Sequence, residues 1–119
     1  MKYLMMIKHD ESYRNQEIPK GLLDAMGPFV EAKMKSGAIL DTAGLKASAD
    51  GFRVRSSGGK LKVTDGPFTE AKELVGGYAL ADVKSREEAL ALAREFMDLH
   101  RIHWPEFDGT CEVRPLEDM

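Results

Sequence analysis

The sequence predicts an α+β fold in which a mainly antiparallel sheet carries two helices on one of its faces. Three observations support this fold class: the chain opens with an apolar run of strand length, two later segments repeat apolar residues at helical spacing, and further strand-like runs separate them. The resulting order is β-α-β, a β-hairpin, then β-α-β. The helices cover one face of such a sheet, so the other face must find cover elsewhere.

The first predicted strand spans residues 2–8 and is apolar on both faces. Alternation along a strand separates its side chains into two sets, which are Tyr3, Met5 and Ile7 on one face and Leu4 and Met6 on the other. Large exposed apolar patches usually mark interfaces, and twofold pairing with a second copy is the simplest way to cover one. We therefore expect a homodimer.

The first predicted helix spans residues 21–36 and ends at Gly37. Its apolar residues at helical spacing are Leu22, Leu23, Met26, Phe29, Val30 and Met34. Gly27-Pro28 lies inside this pattern, and proline removes one backbone donor and clashes with the preceding turn. We expect the helix to bend or split near residues 24–28.

The remaining elements follow from turn and cap signals. Residues 38–46 form a second strand, and residues 52–55 and 60–64 form a hairpin closed by Ser57-Gly58-Gly59. A further strand over 74–83 precedes a helix that begins with a Ser85/Glu88 capping box and extends to about His100. The tripeptide His103-Trp104-Pro105 breaks this helix, and residues 111–114 form the last strand.

Composition limits the functional classes. A chain of 119 residues, 43% hydrophobic and 31% charged, suits one domain over residues 1–119. Its net charge of −3 and the lack of a basic run argue against nucleic-acid binding. The N-terminal apolar run is too short for a membrane span or a signal sequence, so no membrane association and a cytoplasmic location are expected. No cofactor is expected, and the single Cys111 is interpreted as a buried structural residue.

Asp65 is the first candidate for chemistry, since Asp65-Gly66-Pro67 holds a carboxylate at a strand end. It could act as a general base or substrate anchor, or it could be a turn cap bonded to the backbone near Phe68. Glu70, Lys72 and Glu73 follow closely and could shift nearby pKa values, or they could form a solvated charged turn.

His9 is the second catalytic candidate, because it leaves the first strand on the face of Tyr3, Met5 and Ile7. It could equally be a strand-end histidine bonded to loop backbone. The pocket predicted beside these groups lies between the sheet and the first helix, and its candidate substrate-binding residues are Met5, Met26, Phe29, Phe68, Lys72 and Tyr78.

His100 and His103 could face one metal ion, but no further ligands complete a site, so no metal is predicted.

Several short words of this sequence resemble the DGPF branch of the YCII-related family. These words are Met1-Lys2-Tyr3-Leu4-Met5-Met6, Asp65-Gly66-Pro67-Phe68, Thr69-Glu70-Ala71-Lys72-Glu73, Gly76-Gly77-Tyr78 and Glu112-Val113-Arg114-Pro115. The resemblance implies a ferredoxin-like fold that pairs through its sheets as a dimeric α/β barrel, in small bacterial proteins of mostly undetermined function. Some family members are thought to pair a helix histidine with an aspartate for acid–base work. Here Met26 stands where that histidine would be, so only Asp65 carries over.

Three functional interpretations follow from these observations. The first is an enzyme that performs acid–base chemistry on a small aromatic or carbonyl compound, with Asp65 and His9 at the polar end of the pocket. The second is a ligand-binding or regulatory module without turnover, because family relatives are sometimes fused to, or encoded beside, extracytoplasmic-function sigma factors. A dimer without a small ligand is a third alternative.

Overall fold

The computed structural model describes residues 1–10, 12, 17–71 and 73–117, and its main elements follow the predicted order. A short 3₁₀ turn, Ser48–Asp50, precedes the hairpin. The helices and strands are β1 (Lys2–His9), α1 (Lys20–Lys35), β2 (Ile39–Gly44), β3 (Phe52–Ser57), β4 (Lys60–Asp65), β5 (Leu74–Asp82), α2 (Arg86–His103) and β6 (Thr110–Pro115).

Four strands form one antiparallel sheet in the order β2-β5-β1-β6, and β3 pairs only with β4 in a separate two-stranded sheet. The four-stranded order is that of a ferredoxin-like fold, so the predicted fold class is confirmed. No helix of the described ranges is long and apolar enough to cross a membrane.

The hydrophobic core lies between this sheet and the two helices. Its central strand is β1, whose Tyr3, Met5 and Ile7 are at most 9% exposed. Ala89, Leu92 and Ala93 of α2 are also buried, and the core cluster joins them to Tyr3, Met5, Ile39, Ala81 and Val83. Each fully buried large side chain of this kind contributes about 1.5–3 kcal/mol.

Neither α1 nor α2, the two α-helices of the described ranges, covers the opposite face of the sheet. Alternation along β1 and its register with β5 place Leu4 and Met6 on that face, together with Leu80. Val75, at 38% exposure, lies across from Lys8 on the same side. We call Leu4, Met6, Val75 and Leu80 the open sheet face.

Helix α2 begins at the predicted cap and ends later than predicted. Glu88 N donates to Ser85 Oγ at 3.2 Å, and Glu88 Oε2 accepts from Lys84 N at 2.9 Å. The helix continues past His100 to His103, because the Trp104 amide still donates to the His100 carbonyl at 2.7 Å. Helical geometry is lost at Trp104, directly before Pro105.

Helix α1 is not split at Gly27–Pro28 and is assigned as one helix from Lys20 to Lys35. Pro28 removes the hydrogen bond to the carbonyl of Asp24, four residues earlier. Both Asp24 and Pro28 lie on the exposed side of the helix, so water can reach this carbonyl. The cost of the missing bond is therefore small enough for the helix to continue.

The hairpin closes through Gly58 and Gly59, which have φ values of +58° and +77°. Two successive positive φ values are those of a type I′ turn, whose twist matches the flanking strands. The predicted hairpin is therefore confirmed, one or two residues longer on each strand, with Ser57 opposite Lys60 and Phe52 opposite Asp65.

Candidate functional site

A cavity of about 210 Å³ lies between the sheet and the two helices. Both helices and strands β1, β2, β5 and β6 contribute to its wall, which is mostly carbon. The lining includes Met5 and Ile7 of β1, Leu22, Met26 and Phe29 of α1, Phe96 and His100 of α2, and Cys111 of β6.

Three of the residues predicted to bind a substrate, Met5, Met26 and Phe29, line this cavity, and their contact with a ligand stays a prediction. Tyr78 borders the cavity through its backbone, because its register partner Met6 lies on the open sheet face. The Tyr78 hydroxyl donates to Asp41 Oδ2 at 2.9 Å, and this bond raises the pKa of the phenol. The Tyr78 side chain is therefore directed away from the cavity.

His9 is buried, at 6% exposure, and packs over an irregularity in β5. Ile7 pairs with Gly77 and Lys8 with Val75, which leaves Gly76 as the extra residue of a β-bulge. A Cβ atom on Gly76 would lie 2.1 Å from His9 Nε2, so glycine gives the ring its space. Nδ1 of His9 lies 2.6 Å from the Asp10 carbonyl oxygen. Because Gly76 lines the cavity, His9 lies near its edge.

Asp65 and Phe68, predicted as catalytic and substrate-binding, lie in a different part of the molecule. Asp65 is exposed at the end of β4, and neither residue lines the cavity. A Cβ on Gly66 would lie 1.7 Å from the Ser48 carbonyl oxygen, so this close backbone approach requires glycine. The Phe68 amide donates to Ser48 Oγ at 3.0 Å. The hydroxyl of Ser48 thus caps the Phe68 amide, which is the role that one of the two sequence interpretations gave to Asp65.

The Phe68 ring is buried beneath Arg53, whose guanidinium carbon lies 3.8 Å from the ring centroid. Arg53 Nη1 also contacts Glu70 Oε1 at 2.7 Å. A backbone hydrogen bond is the main cause that lowers the pKa of Glu70; desolvation opposes it, and the Arg53 contact lowers the pKa further. Lys72, also predicted to bind substrate, lies outside the described residues. The Asp-Gly-Pro-Phe segment therefore attaches the base of the hairpin to the Ser48–Asp50 turn.

His100 is a titratable side chain of the cavity wall that is only 5% exposed, and the sequence interpretation did not place it there. Its ring lies between Phe96 and Phe107, with centroid distances of 4.8 and 4.9 Å. Burial lowers the His100 pKa, and a weaker opposing effect comes from the Phe96 carbonyl, 3.1 Å from Nδ1. A carbonyl oxygen can only accept, so Nδ1 carries the proton and Nε2 is the acceptor of a neutral ring.

A sequence signal for His100 was available in the spacing of α2. Ala89, Ala93 and Phe96 mark the buried stripe of the helix, and His100 continues it four residues after Phe96. His103 lies on the exposed side, so the two histidines do not converge. Among the residues that the structure describes, no three His, Cys, Asp or Glu side chains are grouped to hold a metal ion.

Cys111 is half-buried and packs against the core beside the cavity. Burial raises the pKa of its thiol, so the neutral, weakly nucleophilic form dominates at neutral pH. The structural interpretation of this cysteine agrees with its position.

Comparisons with known proteins agree with the fold. The family model for the YCII-related domain matches residues 1–97. An uncharacterised protein of Rhizobium meliloti strain 1021 is 31% identical over an alignment of 123 residues. The alignment covers 98% of this chain and 92% of the relative. The ferredoxin-like sheet order, the family match and the similarity along nearly the whole chain lead to one conclusion: this protein belongs to the YCII-related family.

Proposed function

We propose that the cavity binds a small, uncharged compound with a single ring and one hydrogen-bond donor. The observation that carries this proposal is the apolar cavity of about 210 Å³ with a buried neutral histidine in its wall. A dry apolar cavity of about 150 Å³ is large enough to take up benzene. Pockets for drug-sized ligands start at about 300 Å³. The volume therefore favours one substituted ring.

The polar groups of the wall support an uncharged ligand. Thr42 Oγ1 already donates to the Tyr78 carbonyl at 2.8 Å, and Cys111 is held neutral by burial. A charged ligand would lose its hydration without a compensating charge in the wall. Nε2 of His100 is an acceptor, so a phenol or a similar hydroxyl compound supplies the matching donor.

Ligand binding without turnover is favoured over catalysis, because the described residues of the wall include one titratable proton acceptor, His100, and no ionised acid. A regulatory module also needs ligand binding without turnover. The link to sigma-factor-dependent transcription that the family resemblance implies would depend on such binding. The predicted cytoplasmic location belongs to this proposal.

Acid–base catalysis on a bound aromatic or carbonyl compound is the second candidate, supported by the lowered pKa of His100. A neutral imidazole is the form that accepts a proton, so His100 would be the general base. In this case the ligand would be consumed, which a binding module does not do. His9, buried near the cavity edge, remains the predicted second group of such a site.

The homodimer expected from the sequence forms through the open sheet face in this proposal. Leu4, Met6 and Leu80 are half-buried, and Val75 is exposed, on a face without a helix. A second copy placed there would cover this apolar surface by twofold symmetry.

The proposal is tested by comparing phenol with toluene, two molecules of nearly equal shape of which only phenol donates a hydrogen bond. Calorimetry should give tighter binding of phenol to the wild type, by roughly 3- to 10-fold, the worth of one neutral hydrogen bond. In His100→Phe, which keeps a ring in the aromatic stack, this preference should disappear while toluene still binds. Charged benzoate should bind weakly to both proteins.

A second pair of variants locates the site. Met26→Trp places a larger side chain in the cavity wall and should abolish the binding of both compounds. Met34→Trp is the matched control on α1, since Met34 is 47% exposed and does not line the cavity. If neither compound bound the wild type, or if both variants behaved alike, the cavity would not be the ligand site.

A further inference from the structure

The β3–β4 hairpin is exposed along both of its strands. Phe52, Val54, Leu61 and Val63 are between 54% and 74% exposed. The register pairs Val54 with Val63 and Leu61 with Ser56, so these four side chains share one face, which we call the apolar arm face. A two-stranded hairpin by itself is at best marginally stable in water, and packing against another surface is what stabilises one.

The shape of the chain agrees with a protruding hairpin. The Cα radius of gyration is 15.9 Å, whereas a compact chain of this length has a radius of about 13.5 Å. Arg53, through its contacts with Phe68 and Glu70, joins the base of the hairpin to its own chain. That contact uses the side of the hairpin opposite the apolar arm face, because successive strand residues alternate in direction.

The opposite side of the hairpin is basic. Arg55 and Lys62 are direct cross-strand partners, and Lys60 lies beside them at the tip. Like charges placed opposite one another are destabilising unless something acidic lies near. Four basic residues and one acidic residue give segment 52–65 a formal charge of +3. Because the net charge of the whole chain is −3, the other 105 residues together carry −6. The hairpin and the body of a second copy thus carry net charges of opposite sign, which favours their encounter.

We propose that the hairpin is a dimerisation arm whose apolar arm face packs across the open sheet face of a second copy of this chain. This inference rests on the homodimer proposed above and names the hairpin as the part of the second copy that lies on the open sheet face. Strands of six residues extend about 20 Å, and the four strands of the partner sheet span about 14 Å, so the arm can lie across all of them. By twofold symmetry both arms and both open sheet faces become covered together.

A stable dimer of this chain has to bury a substantial part of its surface. A standard interface buries about 800 Å² on each partner. This is close to a tenth of the 8418 Å² surface of the chain. A small four-strand face and an arm with four large apolar side chains together offer an apolar surface of the kind found in permanent dimers.

The test compares two substitutions that add the same charge to adjacent residues of β4. Val63→Asp lies on the apolar arm face, and Thr64→Asp lies on the basic side. Sedimentation velocity over a concentration series should show that Val63→Asp raises the dimer dissociation constant at least about 100-fold, because a twofold dimer loses each apolar contact twice. Thr64→Asp should raise it less than about threefold.

Hydrogen exchange supplies a second measurement that does not need a variant. Amides of residues 52–65 should exchange about tenfold more slowly, or more, at concentrations where the wild type is dimeric than where it is monomeric. Leu61→Asp repeats the test at the most exposed apolar position of the arm, where a substitution disturbs the chain's own fold least. Circular dichroism reports whether each variant is folded.

The outcomes separate this inference from the dimer itself. If the wild type sediments as a monomer at every concentration, the dimer and the arm are both overturned. If the wild type is a dimer that neither Val63→Asp nor Leu61→Asp weakens, and hairpin exchange does not depend on concentration, the arm is overturned while the dimer stands. A dimer weakened by Val63→Asp and Leu61→Asp but not by Thr64→Asp supports the arm.

Discussion

Replacing Gly76 with alanine places a methyl group against the buried ring of His9. The added Cβ would lie 2.1 Å from Nε2 and 2.5 Å from Cδ2 of His9, well inside contact distance. The ring is 6% exposed, and its Nδ1 lies 2.6 Å from the Asp10 carbonyl oxygen, so it can move only by giving up that contact. The substitution therefore overpacks the bulge of β5.

The expected loss follows from two opposing effects. Overpacking a filled site costs about 1–3 kcal/mol. Replacing glycine with alanine returns about 0.4–1 kcal/mol, because the unfolded chain has fewer conformations to lose. The net loss in the free energy of unfolding is about 1–2 kcal/mol, which lowers the melting temperature by roughly 4–8 °C in a chain of this size.

Urea denaturation of Gly76→Ala and Gly44→Ala provides the comparison. Gly44 also lines the cavity, but a Cβ atom there meets nothing within 4 Å, so Gly44→Ala should be neutral or stabilising by up to about 1 kcal/mol. In a His9→Ala background the cost of Gly76→Ala should disappear. Equal stability of Gly76→Ala and Gly44→Ala would refute the assignment of the bulge glycine to the His9 ring.

Three further perturbations have defined outcomes. Because burial lowers the His100 pKa, the unfolded chain binds a proton at His100 more readily than the folded chain does. The stability that the neutral His100 contributes is therefore complete above pH ~6.5, the ordinary pKa of histidine, and is lost as pH falls toward the folded pKa. The stability difference between wild type and His100→Phe should therefore be flat above that pH and change by up to about 1.4 kcal/mol per pH unit below it, and a flat difference throughout would contradict the buried neutral ring. Asp65→Asn should leave phenol affinity unchanged and shift stability by less than about 0.5 kcal/mol, since Asp65 is exposed and outside the cavity wall; a lost ligand in calorimetry would restore Asp65 to the site. Ser85→Ala should cost about 1 kcal/mol in urea denaturation through loss of the cap to Glu88 N, and an unchanged midpoint would show that the cap contributes nothing.

Local patterns predicted the elements well, because each depends on neighbours close in sequence. The capping box at Ser85, the Gly58-Gly59 turn and the alternation of β1 are properties of a few adjacent residues, and all three are present as predicted. The end of α2 was misplaced because the helix continues through His103 until Trp104 leaves helical geometry. The sequence predicted a bend or a split near residues 24–28, and the split is excluded because α1 is one helix from Lys20 to Lys35. Solvent exposure on that side of α1 compensates for the hydrogen bond that Pro28 removes.

The candidate site was harder to predict, because it depends on which residues distant in sequence meet. Met5, Met26 and Phe29 could be assigned to one cavity from their faces on β1 and α1. Asp65, in contrast, belongs to the most distinctive motif of the sequence, Asp-Gly-Pro-Phe. In the structure this motif brings the backbone of Gly66 close to the backbone of Ser48. A short motif does not reveal whether its residues serve chemistry or chain packing.

By itself, the sequence determined the order of the elements, the two-sided apolar character of β1 and the family of this protein, since periodicity, turn residues and short words are local properties. Only the tertiary structure decided that His100 lies in a cavity wall, that Tyr78 is directed to the other face and that the hairpin projects with its apolar face uncovered. Burial, desolvation and register arise when separate elements pack together, and no single segment of the chain contains them.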